Sequence, residues 1–176
     1  MSGLAKYWKN RGVDMSLQIQ AEHFFNAFKV LEANNQALID RLADEAGEKP
    51  QVRPDILGIR PTMGIEIVCL AFSIELYIKD VHLAVAGEAP RGHDILSLFE
   101  QLPEQVQQEV FHHPSIENYG WSFEAFKLEI KQISNGFEKW RYSHESAALQ
   151  YNSYFALVFL EALISTASSI RRNMVR

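Results

Sequence analysis

The run Ile65-Glu66-Ile67-Val68-Cys69-Leu70-Ala71-Phe72-Ser73-Ile74-Glu75-Leu76-Tyr77-Ile78-Lys79, carried on to Gly87, decides the fold. No Gly or Pro interrupts it between Ile65 and Gly87, which predicts one long helix closed by Gly87 at its C-terminus. At about 100° per residue, Ile67, Leu70, Ile74, Tyr77, Ile78, Val81 and Val85 gather on one side. Ile65, Val68, Phe72, Leu76 and Leu83 gather nearly opposite. Two polar seams divide these faces, one of Glu66, Ser73 and Asp80, the other of Glu75, Lys79 and His82. A helix that is apolar on two sides must be covered on two sides. It is therefore expected at the centre of a bundle, or with one side at a subunit interface.

Outward from this helix, the loop Gly87-Glu88-Ala89-Pro90-Arg91-Gly92 leads to His93-Asp94 and a second apolar run, Ile95-Leu96-Ser97-Leu98-Phe99. Asp94 suits the N-cap of a short helix over 95–101, and Pro103 the first turn of another ending near His112-His113. Residues 114–121 read as a loop, and Ser122 as the cap of a helix whose seam is Phe123, Phe126, Ile130, Ile133, Phe137 and Trp140. A break is expected between Tyr142 and Asn152, where Ser143, Ser146 and Asn152 all suit a cap. The last helix runs to about Arg172, with Gln150, Glu161, Ser165, Ser168 and Arg172 as its polar stripe.

Toward the N-terminus, a helix is expected from Asp14 or Ser16 to about Ala46. Leu17, Phe24, Phe28, Leu31, Leu38 and Leu42 are its apolar stripe, and Gly47 follows its end. Pro50, Pro54, Gly58 and Pro61 mark 47–62 as a loop. Residues 1–13, with Lys6, Lys9, Arg11, Tyr7 and Trp8, form an N-terminal arm, and 14–176 a single helical domain. No stretch alternates with period two. The expected fold is all-α, with three or four long helices and a short helical excursion after the central one.

A chain of 176 residues that is 47% hydrophobic can bury one substantial core. A net charge of −5 supplies no general basic field for nucleic acid. Cys69 is the single cysteine, so disulfide frameworks and thiolate clusters are excluded, and a buried thiol suits a reducing cytoplasm. Met1-Ser2-Gly3-Leu4-Ala5-Lys6 lacks a signal-peptide core. The apolar run from Tyr154 to Ile164 holds Glu161 and is shorter than the roughly 20 residues a bilayer requires. A soluble cytoplasmic protein without membrane contact is expected. From Glu88 to Glu117 six acids face one base, Arg91, an acidic edge suited to a basic protein partner. His112-His113 with Glu109 reads as a helix C-terminus and not a metal site, because adjacent histidines diverge. No metal and no cofactor is expected.

Chemistry concentrates at Trp140-Arg141-Tyr142-Ser143-His144-Glu145. An imidazole moves protons near neutral pH and a guanidinium grips phosphate through a planar fork of donors. Together they suffice to cleave RNA without metal, using the ribose 2′-hydroxyl. The alternative is structural: Glu138, Arg141 and Glu145 pair along one face while His144 ends the apolar seam. His93 adds an imidazole at a helix start, or simply fixes a glycine turn capped by Asp94. Glu75 and Lys79 have the i, i+4 order of an ion pair.

Three segments in order resemble the HEPN family (higher eukaryotes and prokaryotes nucleotide-binding domains). They are Ala71-Phe72-Ser73-Ile74-Glu75-Leu76-Tyr77-Ile78-Lys79, Gly92-His93-Asp94-Ile95-Leu96-Ser97-Leu98-Phe99, and Phe137-Glu138-Lys139-Trp140-Arg141-Tyr142-Ser143-His144-Glu145, within about residues 65–170. The resemblance implies a helical bundle, frequent homodimerisation, and RNA- or nucleotide-linked roles in toxin–antitoxin or antiviral systems; a structural adaptor for a protein partner encoded nearby is a separate expectation that the acidic stretch 88–117 suits. Active members carry arginine, four to six residues, then histidine. Arg141 matches that arginine, and His144, three positions on, is an imperfect match for the histidine. The implied catalytic pair is Arg141 and His144, with Tyr142, Glu145 and His93 as substrate-binding candidates. The short spacing keeps a non-catalytic binding or interaction module as the alternative.

Overall fold

The computed structural model describes residues 16–47, 64–134 and 151–174, and among them it has seven helices and no strand. The three long ones are α1 (Leu17–Gly47), α2 (Ile65–Ala86) and α7 (Ser153–Met174). Between α2 and α7 lie α3 (Ile95–Glu100), α4 (Glu104–Phe111), α5 (Pro114–Glu117) and α6 (Phe123–Ser134). The all-α bundle is as expected. The N-terminal arm, the loop over 48–63 and the break after Tyr142 lie outside the described residues.

Local chemistry accounts for most boundaries. Ser16 Oγ accepts the Ile19 N–H at 3.3 Å, starting α1. Gly87 turns left-handed at φ +77° and donates its N–H to Leu83 O, closing α2. Asp94 Oδ1 accepts the Ser97 N–H at 2.6 Å, Ser122 Oγ the Ala125 N–H at 3.2 Å, and Asn152 Oδ1 the Phe155 N–H at 3.0 Å. Each supplies an acceptor to a helix N–H that has no intrahelical partner. One boundary differs from expectation. Residues 114–117 form the single-turn helix α5 rather than loop, because Pro114 presets the first helical φ and His113 Nδ1 accepts the Ser115 N–H.

α2 is the central element, flanked chiefly by α1 and α7. Its first face, Leu70, Ile74, Tyr77, Ile78 and Val81, is buried. α7 meets the core through Phe155, Phe159, Leu160 and Leu163, and α1 through Ala21, Phe28 and Leu38. Phe126 of α6 is the aromatic hub: its ring lies 5.7 Å from Phe99, 5.4 Å from Phe111, 5.9 Å from Phe155 and 5.7 Å from Phe159. The stripe expected on α1 is shifted: Phe24 stands at the rim, stacked on Phe72 at 5.1 Å, while Ala21 and Asn35 are buried.

Two further features of α2 depart from the simple two-faced picture. The second face is covered in part, for Ile65 and Leu83 are 54% and 44% exposed. The polar seams are buried: Ser73, Glu75, Asp80 and His82 all sit inside the bundle. Helix α7 is long and apolar enough to cross a membrane by length and composition, and half of that window is buried here as a core helix. Its polar stripe of Glu161, Ser165, Ser168 and Arg172 is exposed as expected.

Candidate functional site

Every buried polar side chain of α2 named above reaches a partner on a different part of the chain. Ser73 Oγ donates to Ala21 O of α1 at 2.9 Å. His82 Nε2–H donates to Leu98 O of α3 at 2.9 Å. Asp80 pairs with Arg171 of α7. The charges of that pair also act on Tyr77, whose hydroxyl pKa is pushed up to about 12 by burial first and then by the Glu22 and Asp80 charges, Arg171 acting in the opposite sense.

Glu75 is the member whose environment carries chemistry. Its side chain is 6% exposed and Oε1 accepts from Lys79 Nζ at 2.7 Å, with Lys79 13% exposed. The expected i, i+4 pair is therefore present, and it is buried. The same oxygen accepts from His93 Nδ1 at 3.0 Å. Gly92, at φ +105°, makes the turn that brings His93 over α2, and Asp94 starts α3 immediately afterwards. The loop-fixing role read for His93 is thus realised.

A carboxylate only accepts, so Nδ1 carries the proton and the neutral ring presents Nε2 as its basic nitrogen. The His93 side chain is 70% exposed, so this is a carboxylate-oriented imidazole at the surface with an ammonium beside its carboxylate. Such a group can accept a proton, or, protonated, hold a phosphate oxygen.

Arg141, Tyr142, His144 and Glu145 lie outside the described residues. The last described residue before them, Ser134, is tied to two helices: its Oγ accepts the Leu96 N–H at 2.8 Å and donates to Ile130 O at 2.9 Å. α6 therefore ends against the first turn of α3, three positions in sequence from His93. The two motif segments within the described residues meet at Glu75.

Other titratable groups have structural partners. His112 Nδ1 pairs with Glu117 at 2.9 Å, Lys127 with Glu100 at 2.9 Å, and Ser115 donates to Glu161 at 2.8 Å. Burial and, secondarily, the Glu66 charge push the Cys69 thiol up, which leaves it a poor nucleophile. Among the described residues no group of three or more His, Cys, Asp or Glu is arranged to hold a metal ion. Sequence reasoning missed the Asp80–Arg171 contact, since nothing local couples residues 91 positions apart. It also missed the part that Asn35, Glu66 and Ser153 play in lining a cavity at one end of the bundle. No family model, no curated protein and no solved structure matches this chain.

Proposed function

We propose that this is a HEPN-like protein that acts on RNA or nucleotides, in a toxin–antitoxin or antiviral setting, as a metal-independent endoribonuclease. Arg141 holds the scissile phosphate. His144 takes the ribose 2′-hydroxyl proton as the 2′-oxygen bonds to phosphorus, and the bond from phosphorus to the 5′-oxygen breaks, that oxygen taking a proton from water. His93, Tyr142 and Glu145 contact the substrate around them. The supporting observation is the junction at Glu75: the Glu75–Lys79 segment and the Gly92-His93-Asp94 segment share one carboxylate oxygen, with His93 exposed beyond it. Incubating the full chain with end-labelled RNA in EDTA tests the reading. Cleavage leaving 2′,3′-cyclic phosphate ends, abolished by His144→Ala or Arg141→Ala and weakened mainly in KM by His93→Ala, is the expected result. No cleavage, or cleavage unchanged by His144→Ala, would sink it.

The second reading is a non-catalytic homodimer that binds nucleotide, RNA or a protein encoded nearby. It draws on the second face of α2, where Ile65 and Leu83 are exposed beside the Phe24–Phe72 stack. Light scattering of the wild type and of Leu83→Glu decides it. A dimer that the substitution dissociates supports this reading, and a monomer at all concentrations removes it.

A further inference from the structure

The histidines among the described residues are held in different ways, and the difference singles out one of them. His82 is buried, with its Nε2–H engaged by Leu98 O. His113 Nδ1 accepts the Ser115 N–H at 3.3 Å, so its neutral ring carries the proton on Nε2 and offers no free lone pair. His23 is exposed on α1. His112 pairs with Glu117 where both side chains are more than half exposed and water competes for the contact. His93 alone joins an exposed ring to a buried carboxylate: its side chain is 70% exposed and that of Glu75 is 6% exposed. Lys79 donates to the same Glu75 oxygen, so its ammonium stands beside the ring. With Nδ1–H on Glu75, the lone pair lies on Nε2, which has no hydrogen-bond partner among the described residues. Space is open next to it, for a Cβ built on Gly92 meets nothing within 4 Å.

We propose that His93 is a phosphorylation site, its Nε2 taking the phosphoryl group of a small acyl phosphate. An imidazole is an effective nucleophile when a second group orients it. The Nε2 lone pair bonds to phosphorus as the phosphorus–oxygen bond of the mixed anhydride breaks, and the electron pair of that bond leaves with the carboxylate. No proton leaves the ring in this step. The ring becomes cationic, Nδ1 keeps its proton, and the Glu75 carboxylate stabilises the charge, as an aspartate does for the imidazolium of an acyl-transfer triad. Lys79 beside the ring and Arg91 two residues before it attract the anionic phosphoryl end of the donor, which favours attack at phosphorus over the acyl carbon. The Asp94 carboxylate next in sequence is engaged by the Ser97 N–H. Once in place, the phosphoryl dianion reverses the charge that a protonated imidazole offers to a phosphate oxygen, so the modification switches off anion binding at this position. The transfer itself does not depend on the ribonuclease reading, since it uses only Glu75, Lys79 and His93 and is measured without RNA.

The test incubates the full chain with acetyl phosphate at neutral pH and follows intact mass and the phosphorus resonance of an N-phosphoryl imidazole. Peptide mapping at alkaline pH, where that bond survives, locates the group. The expected result is one phosphoryl group per chain, on His93, gained at least about tenfold faster than on the exposed His23 or His112 of the same molecule. His93→Gln should abolish the fast phase and His112→Gln should leave it unchanged. Glu75→Gln should slow it by about tenfold or more, with circular dichroism establishing that the variant is folded. Should Glu75→Gln fail to fold, the ratio of His93 to His112 labelling in the wild type decides alone. The proposal is overturned if no N-phosphoryl group forms, if His93 is labelled no faster than His23 and His112, or if folded Glu75→Gln reacts as fast as wild type.

Discussion

Replacing Lys79 by Met is the sharpest test of the cluster on α2. The substitution keeps the aliphatic stem and its helix propensity and removes only the ammonium. At 2.7 Å, and with an effective dielectric of about 20, the gross attraction between the Lys79 and Glu75 charges is about 6 kcal/mol. Most of that is offset by the desolvation of both groups, so the pair itself contributes little net stability. Removing one partner is different, because the Glu75 carboxylate stays buried. A fully buried charge stranded in this way costs about 3–5 kcal/mol. Lys79 is 13% exposed and His93 still donates to Glu75, which brings the expectation to about 2–3 kcal/mol. For a chain of this length that is a Tm lowered by roughly 4–12 °C. Urea unfolding followed at 222 nm measures it, with the m-value unchanged. The double variant Glu75→Gln, Lys79→Met removes the stranded charge and should recover at least half of the loss. A single variant within about 0.5 kcal/mol of wild type, or a double variant less stable than the single, would refute the reasoning.

Phe126→Ala removes a fully buried ring at the centre of five aromatic partners, Phe99, Phe111, Phe123, Phe155 and Phe159. It should cost about 3–5 kcal/mol in chemical denaturation, and a cycle with Phe159→Leu should show coupling of about 0.5–1.5 kcal/mol. Gly87→Ala meets open space, so its cost is conformational only. We expect about 1 kcal/mol from the positive φ, with Gly87→Asn milder, read from Tm. The Tyr77 hydroxyl lies above its ordinary value of 10.0 when folded, so its contribution to stability is complete below pH 10 and is lost as pH rises from about 10 to about 12. Stability measured across that range should fall less steeply in Tyr77→Phe than in wild type.

What could be read without coordinates was whatever a few neighbouring residues decide. Ser16, Gly87, Asp94, Ser122 and Asn152 each satisfy backbone groups within four residues of themselves, so their roles are written in local order. The short helix α5 escaped notice because four residues carry no periodicity, and its start depends on a histidine nitrogen acting as a cap. The seams of α2 read only as polar, with no partner assigned beyond the Glu75–Lys79 pair. They are buried because Ala21 O, Leu98 O, His93 and Arg171 meet them, and all four partners come from elsewhere in the chain. His93 was legible as a residue that fixes its loop, but the acceptor that orients it was not. The cavity depends on how α1 passes the end of α2, a matter of packing angle that periodicity leaves open.

The distribution of partners along α2 bears on the order in which the molecule assembles. Two of its ties span 16 and 18 residues, His82 to Leu98 and His93 to Glu75, so the α2–loop–α3 unit closes over short loops. The tie from Ser73 to Ala21 spans 52, and that from Arg171 to Asp80 spans 91. Loop-closure entropy rises with the logarithm of these separations, and contact order slows the pairings that come late in the chain. The α2–α3 hairpin is thus the natural early nucleus, and the docking of α7 the natural late step. Until α7 arrives the Asp80 carboxylate keeps its water, so the final docking exchanges hydration for a guanidinium and aligns α7 along α2 in one register.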